Sequence, residues 1–299
     1  MNASLTLLQS VLPTSVGLHV TVADAHPSAQ ILGTDRMGSG ILVDPDGIIL
    51  TVNYVALGAE TIDVTLLDET RLSGQVIAQD FHSGLAAIKI PGGGYPAARP
   101  GDAAALTRGQ EIFIVAAAGG SQRRVNNGGI SSLAPFDAFW EFQIERGIVT
   151  TAMNPGLGGG GLFTSCGALA GVVSLDLNEV GRFTLAIPSE HWFAHRDELL
   201  REGRRTSRPP RAWVGLYCYV LREHVVVAGV LPGTPGERGG LRAGDVIVSV
   251  DDQDIGTRGD LYSRLWQHRP GEVIRFHVFR DESVRVVKVE STDAETFFA

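Results

Sequence analysis

Residues 38–55 read GSGILVDPDGIILTVNYV. Two runs rich in β-branched residues, Ile41–Asp44 and Ile48–Val52, are joined by Asp44-Pro45-Asp46-Gly47. Proline presets φ for the corner of a turn and glycine supplies a left-handed position, so the stretch predicts a tight hairpin. The same pattern repeats on both sides. Val16–Val22 alternates and predicts a strand. Ile62–Leu67 and Leu72–Ile77 predict a second hairpin about Asp68-Glu69-Thr70. Leu85–Ile90, Ile112–Ala117, Gly129–Ser132, Phe142–Ile144, Ile148–Thr150, Ala168–Leu175 and Arg182–Ala186 continue the series. Many short strands with no long helices between them predict a mainly β chain built of barrels, not a parallel α/β sheet.

Composition sets the outer limits. A chain of 299 residues, 44% hydrophobic and 19% charged, is long enough for two or three domains, each with its own core. A net charge of −8 argues against nucleic acid as a partner. No apolar run is long enough to span a membrane as a helix. Met1–Val22 has no basic leading region and is broken by Pro13, so it is read as the start of the fold and not as a secretion signal. Cys166 and Cys218 stand far apart, in no CxxC or His/Cys cluster, which supports neither a zinc site nor a disulfide framework. No cofactor or metal is implied.

The second landmark is Met153–Leu162, MNPGLGGGGL, in which Gly158–Gly161 is an unbroken glycine run. Such a run marks backbone that needs positive φ or close approach. It also offers bare N–H groups suited to an anion-binding nest or an oxyanion hole. A nucleophilic side chain is missing from it.

After residue 188 the pattern changes. Ser189 is placed to cap a helix running through Leu200 and ended by Gly203. Arg204–Arg211 is basic and contains Pro209-Pro210. Further strands are predicted near Leu216–Val220, Val225–Leu231, Asp245–Val250, Val273–Phe279 and Val284–Glu290. Helical pieces near Gly236–Gly239 and Arg258–Gln267 interrupt them. Thr292–Ala299 is expected to fray.

In order and spacing, 38–55, LAAIKI (85–90), NPGLGGGGL (154–162), FTLAIPSE (183–190), WVGL (213–216) and LPGTPGERGGLRAGDVIVSVDDQDI (231–255) resemble the HtrA (DegP/DegS-like) family. The resemblance implies a trypsin-like double β-barrel over 1–203, a linker at 204–211, a PDZ domain (a β-sandwich with two helices) over 212–291, and a tail at 292–299. It implies an extracytoplasmic, periplasmic setting and a role in protein quality control.

The family's catalytic histidine, aspartate and serine map onto Tyr54, Gly84 and Gly158. An acyl-transfer protease needs an Oγ nucleophile, an imidazole base and a carboxylate to orient it. Glycine offers neither of the first and last, and tyrosine is a poor base at neutral pH. The resemblance therefore implies a protease fold and the substitutions imply a pseudoprotease, with Gly156, Leu157 and Gly158 as a vestigial oxyanion loop. That loop either keeps a carbonyl- or anion-binding pocket or, as the simpler reading, has relaxed into a flexible glycine run. Tyr54 is available to fill the vacated cleft.

The alternative is a serine-type endopeptidase with relocated groups, drawn from Ser83, His82, Ser165 and Cys166, which read more simply as turn and strand residues. His191 and His195 have a metal-compatible i, i+4 spacing but no third ligand. Asp63, Asp68 and Asp80 are scattered in turns and receive no role.

In the second domain, Trp213-Val214-Gly215-Leu216 matches the x-Φ-Gly-Φ loop with which PDZ domains hold a peptide's terminal carboxylate. Leu216–Val220 is then the pairing strand, and a helix carrying Leu261 and Leu265 the opposite wall, favouring an apolar C-terminal residue. The expected function is non-catalytic binding of peptide C-termini or unfolded segments, as scaffold, adaptor or regulator. Self-association as a trimer through Ser4–Leu12, or assembly with an active homologue, is the accompanying expectation.

Overall fold

The computed structural model describes residues 3–178 and 181–299; Met1 and Asn2, which open the Met1–Val22 stretch, lie outside the described residues. The chain divides into two compact units, 1–135 with 145–206, and 136–144 with 207–299.

In the first unit, helix α1 (Ala3–Val11) leads into a seven-stranded sheet. Its strands are β1 (Ser15–Val22), β2 (Asp35–Asp44), β3 (Ile48–Val52), β4 (Ala59–Thr65), β5 (Arg71–Ser73), β6 (Gln75–Asp80) and β7 (Leu85–Lys89), in the order β5-β4-β1-β2-β3-β7-β6. Short helices α2 (Ala29–Leu32) and α3 (Asn53–Ala56) interrupt it. The predicted 38–55 hairpin forms, with Ile41 opposite Leu50 and Leu42 opposite Ile49. The predicted Leu72–Ile77 strand does not form as one piece. It breaks at Gly74, whose N–H turns to Ile62 O, and gives β5 and β6 instead.

A second sheet comprises β8 (Arg99–Pro100), β9 (Glu111–Ala117), β10 (Arg123–Asp137), β11 (Gln143–Thr150), β12 (Gly161–Thr164), β13 (Ala168–Asp176) and β14 (Thr184–Pro188). Its order is β12-β9-β10-β11-β14-β13-β8, and a β12–β13 pairing closes it into a barrel. The short Gly129–Ser132 prediction proves to be part of the longer β10, while the Phe142–Ile144 and Ile148–Thr150 predictions merge into β11, which starts at Gln143 and leaves Phe142 outside it. Ile112, Ile114, Ile130, Ile148, Leu162 and Val173 fill this barrel, each burial stabilising by about 1.5–3 kcal/mol. Leu7, Leu8 and Val11 of α1 pack against Ile41, Phe113 and Phe163, so most of the apolar face of that helix is used inside its own unit, while Leu5 stays exposed.

The single helix expected from Ser189 is two, α4 (Glu190–Phe193) and α5 (Arg196–Glu202). The Ser189 hydroxyl makes no cap; it donates to Leu169 O at 2.8 Å, a buried carbonyl that wins over the local amide. Gly203 ends α5 in the left-handed conformation, as its placement predicts.

The second unit carries β15 (Leu216–Leu221), β16 (His224–Val230), α6 (Pro235–Gly239), β17 (Val246–Val250), β18 (Gln253–Asp254), α7 (Arg258–Leu265), β19 (Val273–Arg280), β20 (Ser283–Glu290) and α8 (Ala294–Phe297). The sheet runs β15-β16-β17-β19-β20 with β18 on β17, which leaves β15 at an edge. A capping box starts α7: Asp260 N–H donates to Thr257 Oγ1, and Asp260 Oδ2 accepts from Thr257 N–H. The tail does not fray. Trp213 and Thr292 exchange both backbone hydrogen bonds, and Phe297 and Phe298 lie 5.0 and 5.6 Å from the Trp213 ring.

Candidate functional site

Two loops carry the residues singled out above. The first is the glycine loop of the barrel. Tyr54 sits on α3, directly after β3, and its hydroxyl donates to Ser174 O at 2.6 Å. Burial and the nearby Asp176 carboxylate both raise its pKa above an ordinary phenol's, so it is further from acting as a base than a free tyrosine. A Cβ on Gly158 would collide with the Tyr54 hydroxyl. Gly84 adopts φ +78° and its carbonyl accepts from Asn53 N–H at 2.7 Å. The structure thus brings Tyr54, Gly84 and Gly158 together, Tyr54 against Gly158 and Gly84 beside Asn53.

The glycine run is not a relaxed loop. Leu157 N–H donates to Ala117 O at 2.8 Å, Gly159 N–H to Val173 O at 2.8 Å, and Val173 N–H to Gly160 O at 2.7 Å. Gly158 O accepts from Ser39 N–H at 2.7 Å. The Gly156 N–H points to Asn154 Oδ1 at 3.3 Å. Gly159 has φ +94°, and a Cβ there would strike Ser39 O and Thr51 Oγ1. The expectation of a drifted, flexible run is corrected: tight packing holds these positions to glycine.

The residues considered for a relocated site have other partners. The Ser83 hydroxyl donates to Asp80 Oδ2 at 2.7 Å, and the His82 backbone N–H to Asp80 Oδ1 at 3.0 Å. Asp80, unassigned from the sequence, organises this turn and lies 3.8 Å from the buried Arg205 guanidinium. Ser165 and Cys166 are exposed in the turn after β12. The Thr164 hydroxyl, first among several hydrogen bonds, draws the Cys166 thiol below its ordinary pKa. His191 lies on α4 and His195 precedes α5, so they do not share one helical face. Among the described residues no cluster of three or more His, Cys, Asp or Glu is placed to hold a metal ion. Cys166 and Cys218 are both free thiols.

The second loop is Trp213–Leu216. Three of its backbone N–H groups, those of Val214, Gly215 and Leu216, converge on one carboxylate, that of Glu141. Val214 N–H reaches Oε2 at 3.0 Å, and Gly215 and Leu216 N–H reach Oε1 at 2.7 and 2.8 Å. Gly215 takes φ +86°, and a Cβ there would lie 2.5 Å from Thr234 Cγ2, so both conformation and space call for glycine. Val214, Leu216, Leu261 and Leu265 are buried in the core of this unit. Trp213 faces the tail through its stacking on Phe297 and Phe298.

The residues before Glu141 lie along β15. Cys218 N–H donates to Phe139 O at 2.7 Å, and Trp140 forms an antiparallel bridge with Tyr217. From α7, the Tyr262 hydroxyl donates to Ala138 O at 2.7 Å, and the Arg258 guanidinium lies 4.8 Å from the Phe139 ring centre. Glu141 is 8% exposed, and burial pushes its carboxyl up to about 7 against the pull of the three N–H bonds. Glu141, Arg258 and Tyr262 are the residues that sequence reasoning missed. The only local signal is an acid between aromatics in Phe139-Trp140-Glu141-Phe142, and its partners lie in a distant part of the chain.

Residues 38–172 match the trypsin-like peptidase domain model, and residues 212–290 the PDZ domain model. A probable periplasmic serine endoprotease DegP-like of Ectopseudomonas mendocina (strain ymp) is 30% identical over 282 residues, 88% of this chain and 58% of that protein. The chain belongs to the HtrA family. A second DegP-like relative, from Marinomonas sp. (strain MWYL1), is 29% identical over 85% of this chain and 56% of its own length. The chain therefore spans less than three fifths of the length of these relatives. Among solved structures, the HtrA-type protease AlgW with a tripeptide is 25% identical over 97% of both chains, with a TM-score of 0.59. The serine endoprotease from Yersinia pestis shares the fold, at 21% identity and a TM-score of 0.56. Both domain assignments agree with the mainly β architecture described above. No helix among the described residues is long and apolar enough to cross a membrane.

Proposed function

We propose that this HtrA-family chain is a non-catalytic member that binds peptide C-termini through its PDZ unit, as a scaffold, adaptor or regulator in an extracytoplasmic compartment. The observation that carries the reading is the Tyr54 hydroxyl, which stands where a side chain on Gly158 would have to go. With glycine at the nucleophile and carboxylate positions and a buried phenol at the base position, acyl transfer lacks each of its side chains. The second unit keeps what its job needs: Val214, Gly215 and Leu216 present N–H groups in an arrangement that fits a carboxylate. The relatives' names place them in the periplasm, which supports the compartment.

The test uses one preparation of the full chain. A fluorophosphonate probe is expected to leave it unlabelled and unfolded casein to stay intact. A peptide with a free apolar C-terminus is expected to bind saturably, and its amide not to bind. Labelling or cleavage that survives repurification and vanishes in Ser83→Ala or Ser165→Ala would establish relocated catalysis and end the non-catalytic reading.

A further inference from the structure

The Trp213–Leu216 loop is already filled, and the way it is filled has the form of a ligand. Residues 138–141 run antiparallel to the edge strand β15, between it and α7, and head toward the loop. Main-chain contacts come first: Ala138 O on the Tyr262 hydroxyl and Phe139 O on Cys218 N–H. The carboxylate comes last, on the N–H groups of Val214, Gly215 and Leu216. Where a peptide would end, this chain turns. Phe142 N–H donates back to Trp140 O at 2.5 Å, and Ala138 N–H donates to Phe142 O at 2.9 Å. The main chain leaves, and the Glu141 side chain carries the line of the strand into the loop.

A simple structural strap does not need an acid here. Burying a carboxylate is unfavourable unless several donors compensate it, and an apolar or amide side chain would pack at lower cost. What the loop selects is the carboxylate, the group by which strand-adding peptides are captured at their C-termini.

We infer that the segment 136–144 is a built-in ligand of the PDZ groove, with Glu141 imitating a terminal carboxylate, and that an external C-terminus binds only by displacing it. This rests on the reading that the 213–216 loop takes peptide carboxylates. It also states the kind of partner that competes best. Such a peptide reproduces the Ala138-Phe139-Trp140 backbone along β15 and supplies its own carboxylate one residue later. It ends in an aliphatic residue, sets an aromatic next to it in the place of Trp140, and sets another in the place of Phe139 under Arg258.

The experiment titrates the full chain with a fluorescein-labelled decapeptide ending Ala-Phe-Trp-Val with a free carboxylate, and with its amide. Wild type, Glu141→Ala and Glu141→Gln are compared, and hydrogen exchange is followed at the amides of Val214, Gly215 and Leu216. The apparent affinity of a groove closed by its own segment falls in proportion to the open fraction, so Glu141→Ala is expected to bind the acid about tenfold tighter or more. Glu141→Gln, which keeps the volume and loses the charge, is expected to lie between. The three amides are expected to exchange faster in both variants. Equal affinity for the acid in all three proteins, with unchanged exchange, overturns the built-in ligand and leaves peptide binding standing. Faster exchange in the variants with no binding of the acid by any of them overturns displacement and the peptide-binding reading together.

Discussion

The two loops differ in how their N–H groups are satisfied. In the barrel, Leu157 and Gly159 donate to the main-chain carbonyls of Ala117 and Val173, and the glycine run is laced to β9 and β13. In the second unit, Val214, Gly215 and Leu216 donate to one side chain. A donor tied to a backbone carbonyl of its own barrel opens only if strands separate. A donor tied to a glutamate opens when one side chain and a short segment leave. The first arrangement belongs to the architecture, and the second resembles an occupied binding site. What distinguishes a loop that has become scaffold from one that keeps a ligand's place is therefore the origin of the acceptor, because both loops are filled.

The sharpest way to break that contrast is a substitution in the barrel loop. Gly159→Ala places a Cβ against Ser39 O and Thr51 Oγ1 at φ +94°. Backbone cannot yield there as a flexible side chain would, so urea denaturation is expected to show a loss of about 3–5 kcal/mol. A loss under about 1 kcal/mol would mean that the loop gives way easily and is not part of the scaffold.

Much of this was legible beforehand. The Asp44-Pro45-Asp46-Gly47 turn, the glycine run and the Trp213–Leu216 motif are local signals, and the elements they announce are present. The errors share one cause, which is competition from distant partners. Ser189 reads as a helix cap, yet its hydroxyl goes to Leu169 O. Thr292–Ala299 reads as a loose end, yet Phe297 and Phe298 have Trp213 to stack on. Glu141 reads as an ordinary loop acid, since nothing near it in sequence marks the three N–H groups that await it. Local pattern reports what a segment can form alone, and it does not report which remote donor or ring takes the side chain.

The second loop makes its own prediction, through pH. Burial raises the Glu141 carboxyl from its ordinary 4.5 to about 7, outweighing the three N–H bonds. A raised pKa means that the docked state holds a proton the unfolded chain has released. The stability tied to that proton is therefore at full strength below pH 4.5 and is lost as pH rises through 7, because the three N–H bonds offset only part of the cost of burying the carboxylate. Asp137 on the same segment, Cys218 on β15, and Arg258 and Tyr262 on α7 face the same region. Burial pushes the Cys218 thiol up to about 12 and the Tyr262 phenol above its ordinary value, so neither titrates in this window. Relative to Glu141→Gln, wild type is expected to lose about 2–3 kcal/mol of stability between pH 5 and pH 8. A pH-independent difference between the two would mean that the three N–H bonds fully offset the burial, and that the loop holds its carboxylate at no net electrostatic cost.

The smallest effect concerns Tyr54, whose hydroxyl lies where a Cβ on Gly158 would go. If its ring is what excludes a residue at position 158, then Gly158→Ser is costly only while the ring is present. In the wild-type background the serine Cβ meets the Tyr54 hydroxyl, and overpacking of this kind is expected to cost about 1–3 kcal/mol. In a Tyr54→Ala background the ring and its hydrogen bond to Ser174 O are gone, and Gly158→Ser is expected to be close to neutral. The cycle therefore predicts a coupling nearly as large as the single-site loss, whereas independent sites add to within about 0.3–0.5 kcal/mol. Additivity would mean that the loop itself resists any side chain at 158. The tyrosine would then be a passive occupant, and restoring room in the cleft would take a change in the lacing between Leu157–Gly160 and the barrel strands.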